Sequence, residues 1–522
     1  KVGSMPKKVL TTLVTMNPTF VARNFIRDMG QTFVVAPKET GRTVLKDVAT
    51  LRPLWSTVRG IVRAAHNSEV RSDFRATGGL SGVAAGEISA VNAAGDIKKA
   101  LGYRSRMEKI ARKHVTFDVD NYKRVMYVAE NAQRMEVYKD VLDTTGDPME
   151  ATYQANDLFN YTRRGSSNIV TILNAFMPFL NARIQGTDKL VRAVKDNPKS
   201  VVVRGAIYIA LSLALRAYNA DDEEYMTIPE EIRDANWTFK IGGQRFFIPK
   251  PFEVGTFFAT IPEIIFDEIT RGNETNTTNR LGRIAGNTFA LDPVNGNALF
   301  GPLMQDWLNR DSLSGNPIVP RNLEDAPLHL QYTSRTPAIF RSMAKAMPEW
   351  MPDMFRSPVR LEHLMNGYFG GAPRLVTDMG EEPMREALGY DDTIVGQTIA
   401  DMPVFRAFMG KPVQYSRYTG NTYEMIHVAE KLEKERKALV EAGDGKELME
   451  FSKKNRSKLL ALPALKGAKK ELSAINKEMN AIRDNKVMKP DAKRRRIDAL
   501  NVKRNAIGKK YMRFFETFSD DI

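Results

Sequence analysis

Apolar residues recur at spacings of three and four along VLTTLVTMNPTFVARNFIRDMGQTF, from Val9, and along DNYKRVMYVAENAQRMEVYKDVLD, from Asp120. That period predicts helices. In the second stretch Tyr122, Val125, Val128, Ala129, Ala132, Met135 and Val137 make one broad apolar face, with charges filling the rest. Residues 1–220 therefore read as a helical bundle.

Between about residues 221 and 422 the pattern breaks into a Pro/Gly-rich region of short helices joined by long irregular connections. The run WTFKIGGQRFFIP alternates about Gly242 and Gly243, predicting a β-hairpin over about 236–249. Trp237, Phe239 and Ile241 share one strand, and Phe246 and Ile248 the other. From about 423 to 522 the helical period returns in a charged setting. Leu472, Ile475, Met479 and Ile482, then Ile497, Leu500, Ile507, Tyr511 and Phe514 after a break at Pro490, predict an antiparallel, coiled-coil-like helical hairpin. The expected fold is mainly α, a multi-helix bundle with one β-hairpin insertion and a C-terminal helical hairpin.

One stretch is ambiguous in the pattern itself. VVVRGAIYIALSLALRAYNADDEEY, Val201 to Tyr225, holds eleven uncharged residues between Arg204 and Arg216. At about 1.5 Å per residue they cover about half of a ~30 Å hydrocarbon core, whereas Val201 to Tyr218 reaches ~27 Å with Arg204 near one end. The two readings are a core helix of a packed fold and a segment that enters a membrane.

The chain has 522 residues and 43% hydrophobic content, enough for substantial cores, and its 27% charged residues and mean hydropathy of -0.36 argue against a polytopic membrane protein. Formal net charge is +15, which favours polyanionic partners such as nucleic acid or anionic lipid. With no cysteine there are no disulfides, thiolate nucleophiles or Cys-based metal sites. The opening KVGSMPKKVLTTLV has neither an initiating Met nor a signal region, which points to a piece of a longer protein or a processed product.

Catalytic patterns do not assemble. Five histidines, His66, His114, His329, His363 and His427, fall in no metal-binding spacing. GGLSGVAAGE, from Gly78, lacks the Lys-Ser/Thr of a phosphate loop, and there is no GxSxG elbow. The acidic runs NADDEEY and FSDDI read as solvated or helix-starting charge, and the sequons at Asn273 and Asn276 as a polar loop. No catalytic, cofactor or metal residues are expected.

Several blocks follow one another in a familiar order: NPTFVARNFIRDMGQTF, NYTRRGSSNIVTILNAFMPFLNARIQGTDKLVRA, IPKPFEVGTFFATIPE, GNPIVPRNLEDAP, SPVRLEHLMNGYFGG and RRRIDALNVKRNAIGKK. FLNARIQG and IPKPFE are the specific ones, because helix periodicity does not explain their Pro, Asn and Gly positions. In this order the chain resembles the large polyvalent-protein-associated domain of giant virion proteins of tailed bacteriophages, some of which are similar to internal ejection proteins of short-tailed phages. The resemblance implies a structural virion protein, present in copies inside the particle and helping deliver the genome across the host envelope. It implies no active site. Its expected partners are further copies of itself, portal, tail or core proteins, DNA, and the host membrane after ejection. The competing readings are a virion-carried fragment of a peptidoglycan-degrading or polymerase-associated enzyme, and a DNA-binding packaging protein.

Candidate interaction residues are Arg183, Lys189 and Arg192 after a bend at Pro178, the hairpin aromatics Trp237, Phe246 and Phe247, and the basic cluster Lys493, Arg494, Arg495 and Arg496. Each has an alternative as ordinary helix surface or hairpin core.

Overall fold

A computed structural model of the chain describes residues 17–36, 52–66, 69–79, 119–160, 179–271, 277–289, 300–311, 317–320, 323–333, 335–370, 398–402, 404–410, 417–443, 445–485 and 487–519, with isolated positions between them. Pro178, the glycine-rich run beyond Gly79, Asn273, Asn276 and the closing Asp520 and Asp521 lie outside the described residues. Helices form most of the described chain, and its strands form one small three-stranded antiparallel sheet. The expected mainly-α class with a hairpin insertion is the fold observed.

Helix α1 (Pro18–Val35) starts on Asn17, whose side chain accepts from the Thr19 N–H at 2.9 Å, with Pro18 at the first helical position. Helices α2 (Arg52–Ala65) and α3 (Glu69–Ala76) pack on α4 (Val119–Thr145), and α5 (Pro148–Asp157) folds back along it. Their core holds Ala64, Phe74, Met135, Tyr138, Ala151 and Ala155. The single apolar face expected on α4 is corrected: Asn131, Gln133, Arg134 and Glu136 are buried as well, and Val125 is exposed. Enclosure of these polar groups is offset by hydrogen bonds. Arg134 donates to the Phe159 carbonyl at 2.7 Å, Gln133 to Thr57 Oγ1 at 2.9 Å, and Arg59 and Arg63 pair with Glu136.

Helices α6 (Leu180–Asp196) and α7 (Pro198–Tyr218) lead through short α8 (Glu223–Thr227) and α9 (Glu230–Ala235) into strands β1 (Asn236–Ile241) and β2 (Gln244–Pro249). Gly242 and Gly243 both have positive φ, 56° and 81°, as a tight hairpin turn of matching twist requires. The register pairs Trp237 with Ile248 and Phe239 with Phe246. Helix α10 (Phe252–Gly255) then runs through a π-helical turn (Thr256–Thr260) into α11 (Ile261–Arg271), followed by α12 (Thr277–Phe289).

The two specific sequence blocks meet here. Gly186 of FLNARIQG faces Glu253 of IPKPFE so closely that an added Cβ would lie 2.3 Å from Glu253 Oε2. On the other side, a Cβ on Gly30 of α1 would lie 2.4 Å from the ring of Pro251. Arg27 stacks over Phe252 at 5.2 Å, and Gln31 Oε1 accepts from the Val254 N–H at 3.4 Å. Val34, Val35, Val137, Leu190, Val201 and Val254 consequently share one core, so the change of texture near residue 220 is not a break in packing.

Helices α13 (Gly301–Trp307), α14 (Ala338–Ala346) and α15 (Asp353–Arg356) gather on α16 (Pro358–Tyr368). Met409–Gly410 adds a third strand, β3, beside β2, which the sequence pattern does not signal. The C-terminal hairpin is present as α20 (Leu462–Asp484) and α21 (Pro490–Ser519), reached from α17 (Arg417–Ala442) through α18 (Gly445–Lys454) and α19 (Arg456–Leu460). Leu472, Met479, Ile482, Ile497 and Leu500 are buried as the spacing predicts. The hairpin is not isolated, however: α17 packs against both arms, making three helices around the seam.

Gly30→Ala should lower stability by about 1–3 kcal/mol, because the Pro251 ring cannot rotate away. Gly420→Ala, in open space on α17, should instead stabilise by up to about 1 kcal/mol. Urea denaturation of the two variants checks the pair.

Candidate interaction surface

Helix α7 turns both its arginines inward and leaves only Lys199, in its first turn, as an exposed charge. Arg204 is 9% exposed, donates to the Ala36 carbonyl at 3.3 Å and lies over the Phe33 ring at 5.8 Å. Arg216 is 3% exposed and forms an ion pair with Asp267 of α11 at 2.6 Å. Between them Ser212 Oγ accepts from Trp237 Nε1 at 2.6 Å, and at the helix end Asn219 donates to the Thr238 carbonyl at 2.8 Å. Val201, Gly205, Ser212, Arg216 and Asn219 are all buried and recur at helical spacing, so one side of α7 is anchored largely by polar groups.

Those contacts belong to a larger buried ionic lattice. Arg280 bridges Asp267 at 2.9 Å and Asp234 at 2.5 Å, and Arg283 adds a bond to Asp234 at 2.8 Å. Lys250 donates to Glu263 at 2.6 Å, and Arg245, fully buried, pairs with Asp222. The Tyr225 ring lies beneath three guanidiniums, those of Arg216, Arg233 and Arg245, at 5.0, 5.4 and 6.0 Å. Burial pushes the Asp234 carboxyl up, but the Arg280, Lys250 and Arg283 charges overcome it and hold it below the ordinary aspartate range. Burial also raises Glu263, with Lys250 opposing. Glu253, against Gly186, is raised to about 7 by burial, with a backbone hydrogen bond and the Arg183 charge opposing.

With both arginines turned inside, α7 beyond Lys199 turns an apolar side outward. Val202, Val203, Ala206, Ala210, Leu211, Ala214, Ala217 and Tyr218 are exposed, and no charged residue interrupts them. The helix is 21 residues long, about 30 Å, the thickness of a hydrocarbon core. Its most apolar window has mean hydropathy 1.5 and is only 33% buried, well short of a core helix. The adjoining π-helical turn and α11 also expose Phe257, Ile265 and Ile269. Polar-in and apolar-out reverses the arrangement of a helix on a soluble protein's surface. Such exposure marks a contact surface.

The residues singled out by sequence are placed differently. Lys189 is buried and donates to Asp157 at 2.7 Å, while Arg192 reaches the same carboxylate at 2.7 and 3.0 Å; both clamp α6 onto α5. Arg183 is half-buried near Glu253. Trp237 is buried and stacks on Tyr208 at 5.3 Å, and Phe247 is buried beside Tyr225 and Ile228. Phe246 is half-buried and stacks on Phe239 at 5.6 Å. Lys493 is not exposed: it is fully buried and donates to the Arg483 carbonyl across the hairpin turn. Arg494 pairs with Asp498 at 3.0 Å and Asp401 at 3.4 Å, which leaves Arg495 and Arg496 as the exposed members of that cluster. Trp237 and Phe247 thus fill a core, as the hairpin-core alternative has it, whereas Lys189 and Lys493 are neither exposed contacts nor ordinary helix surface: each satisfies a buried acceptor. Among the described residues no group of three or more His, Asp or Glu is arranged to hold a metal ion.

Residues 222–405 match the family model of large polyvalent protein associated domain 38, a phage-associated domain. The match starts at Asp222 and takes in the hairpin and the lattice from Tyr225 to Arg280, while FLNARIQG, α7 and the terminal helices lie outside it. No curated protein and no solved structure matches the chain.

Asp267→Ala leaves Arg216 and Arg280 without their shared partner and should cost about 3–5 kcal/mol in chemical denaturation. The pH dependence has two opposite parts. Stability from Asp234 is present above the ordinary aspartate pKa and is lost as pH falls. Stability from Glu253 is full below its ordinary value of 4.5 and is lost as pH rises through about 7. Glu253→Gln should therefore flatten the fall in melting temperature as pH rises from about 4.5 to about 7 and leave the loss at more acid pH unchanged.

Proposed function

We propose that this chain is a structural protein of a tailed-phage particle, carried inside the virion in multiple copies, that helps pass the genome across the host envelope by seating α7 against a lipid bilayer after ejection. The polyvalent-protein-associated domain over 222–405 supports the phage setting and a virion location. The observation that carries the membrane role is the outward side of α7: about 24 Å of apolar surface, from Val202 to Tyr218, on a helix whose two arginines are turned into the protein. A bilayer-facing helix has this distribution, since the cost of placing Arg204 and Arg216 in hydrocarbon is avoided by internal partners. In this reading the chain works by position and contact, through portal, tail or core proteins and other copies of itself, and catalyses no reaction.

Vesicle flotation tests the proposal. The chain should float with anionic vesicles, and Ala210→Glu with Ala214→Glu should abolish flotation without lowering the melting temperature, since both positions face outward. A chain that stays at the bottom of the gradient, or a double variant that still floats, overturns the membrane role. Clearing of peptidoglycan in a gel by the chain alone would overturn the non-enzymatic reading.

A further inference from the structure

The fold brings together arginines that the sequence keeps far apart. Arg483 lies in the last turn of α20, and Arg494 and Arg504 lie on α21, which runs antiparallel beside it. The segment around Gly396 is tied to the start of α21, its N–H donating to the Pro490 carbonyl at 3.0 Å, and Asp401 of the same segment reaches Arg494. Arg335, on the turn before α14, sits at the centre: its charge acts on Arg483 and Arg504, and Arg374 and Arg494 act on it.

The cluster is short of counter-charge. Arg494 has carboxylate partners in Asp401 and Asp498. Among the described residues no carboxylate forms an ion pair with Arg335, Arg374, Arg483 or Arg504. Arg483 bonds only to the neutral Asn480 side chain, at 2.9 Å, and Arg504 Nε is buried with no hydrogen-bond partner. Burial and the neighbouring arginines depress Arg335; burial, Arg335 and Arg504 bring Arg483 down to about 10, with Asp484 the one acid opposing. Arg504 is lowered by burial and by Arg335. This is the reverse of the lattice under α7, where each arginine faces an acid or an aromatic ring. Arg335 keeps solvent-accessible surface along the residue although its guanidinium end is enclosed, and Arg374 is exposed, so the cluster can be reached from outside. The N-terminus of the 30-residue α21, beside Arg494, adds the positive end of its dipole.

We infer that Arg335, Arg483 and Arg504, flanked by Arg374 and Arg494, form a binding row for the phosphodiester backbone of a nucleic acid. Guanidiniums without acids are the groups suited to phosphate oxygens, which they meet bidentately. The row's length selects among phosphate sources. Arg494 and Arg504 are ten residues apart on one helix, about 15 Å. A lipid headgroup or free phosphate offers a single charged centre, whereas one DNA strand offers a phosphate about every 3.4 Å along its axis. This goes beyond the membrane role of α7 and stands if that role fails.

The test is fluorescence anisotropy of a short dye-labelled DNA strand and its duplex, titrated with the whole chain at rising salt. Arg335→Gln with Arg504→Gln should weaken binding at least about tenfold and reduce the salt slope by about 2, one for each phosphate left without its guanidinium. Lys434→Gln with Arg436→Gln, which removes equal charge from the exposed face of α17, should leave binding within about twofold. Without DNA the first variant should melt higher than the parent, because mutual repulsion has been removed; a purely structural role predicts lower melting. DNA binding unchanged in the first variant, or weakened equally in both, overturns the inference. So does an Arg335- and Arg504-dependent association with phosphatidylglycerol vesicles in place of DNA, or full competition by low-millimolar phosphate.

Discussion

The arrangement turns on the need to satisfy Arg204 and Arg216 inside the protein. Two guanidiniums on one apolar helix cannot be left buried and unpaired, and they fix which side of α7 faces the body of the molecule. Asp267 answers Arg216, and the Ala36 carbonyl and Phe33 ring answer Arg204. Once those contacts form, Val202, Val203, Ala206, Ala210, Ala214 and Ala217 face outward. A helix that is apolar by composition thus becomes a polar anchor with an apolar exterior.

Around this anchor the fold is held by close approaches that admit only small side chains. Gly30 lets α1 reach Pro251, Gly186 lets α6 reach Glu253, and a Cβ on Gly205 would meet the Phe258 ring at 2.4 Å. These contacts bring α1, α6 and α7 onto the segment that leaves the hairpin. The family match begins at Asp222, yet the elements it needs for burial come from residues before it.

Much of this was legible in local sequence. Gly242 and Gly243 within an alternating run specify the hairpin, since glycine takes the positive φ that a two-residue turn of this twist uses at both positions. The three-and-four spacing on either side of Pro490 specifies α20 and α21 for the same kind of local reason. What local pattern could not supply was pairing over distance. The inward direction of Arg216 depends on Asp267, fifty-one positions later in the chain, and β3 consists of two residues that are strand only because β2 lies beside them. Lys493 looked exposed because it stands in a basic run, and is buried because the hairpin turn brings the Arg483 carbonyl to its ammonium. Gly186 and Glu253 were both within conspicuous blocks, but their contact appears only in three dimensions.

The most direct test of the central claim is a nitroxide scan along α7, possible because the chain has no native cysteine. Single cysteines from 201 to 218 would be labelled in the presence of anionic vesicles and their accessibility to oxygen and to a water-soluble nickel reagent compared. The account predicts a period of about 3.6 residues, with oxygen access highest at 203, 206, 210, 214 and 217 and lowest at 201, 205, 208, 212 and 216. Oxygen access without periodicity, or nickel access dominating at 206, 210 and 214, would contradict it.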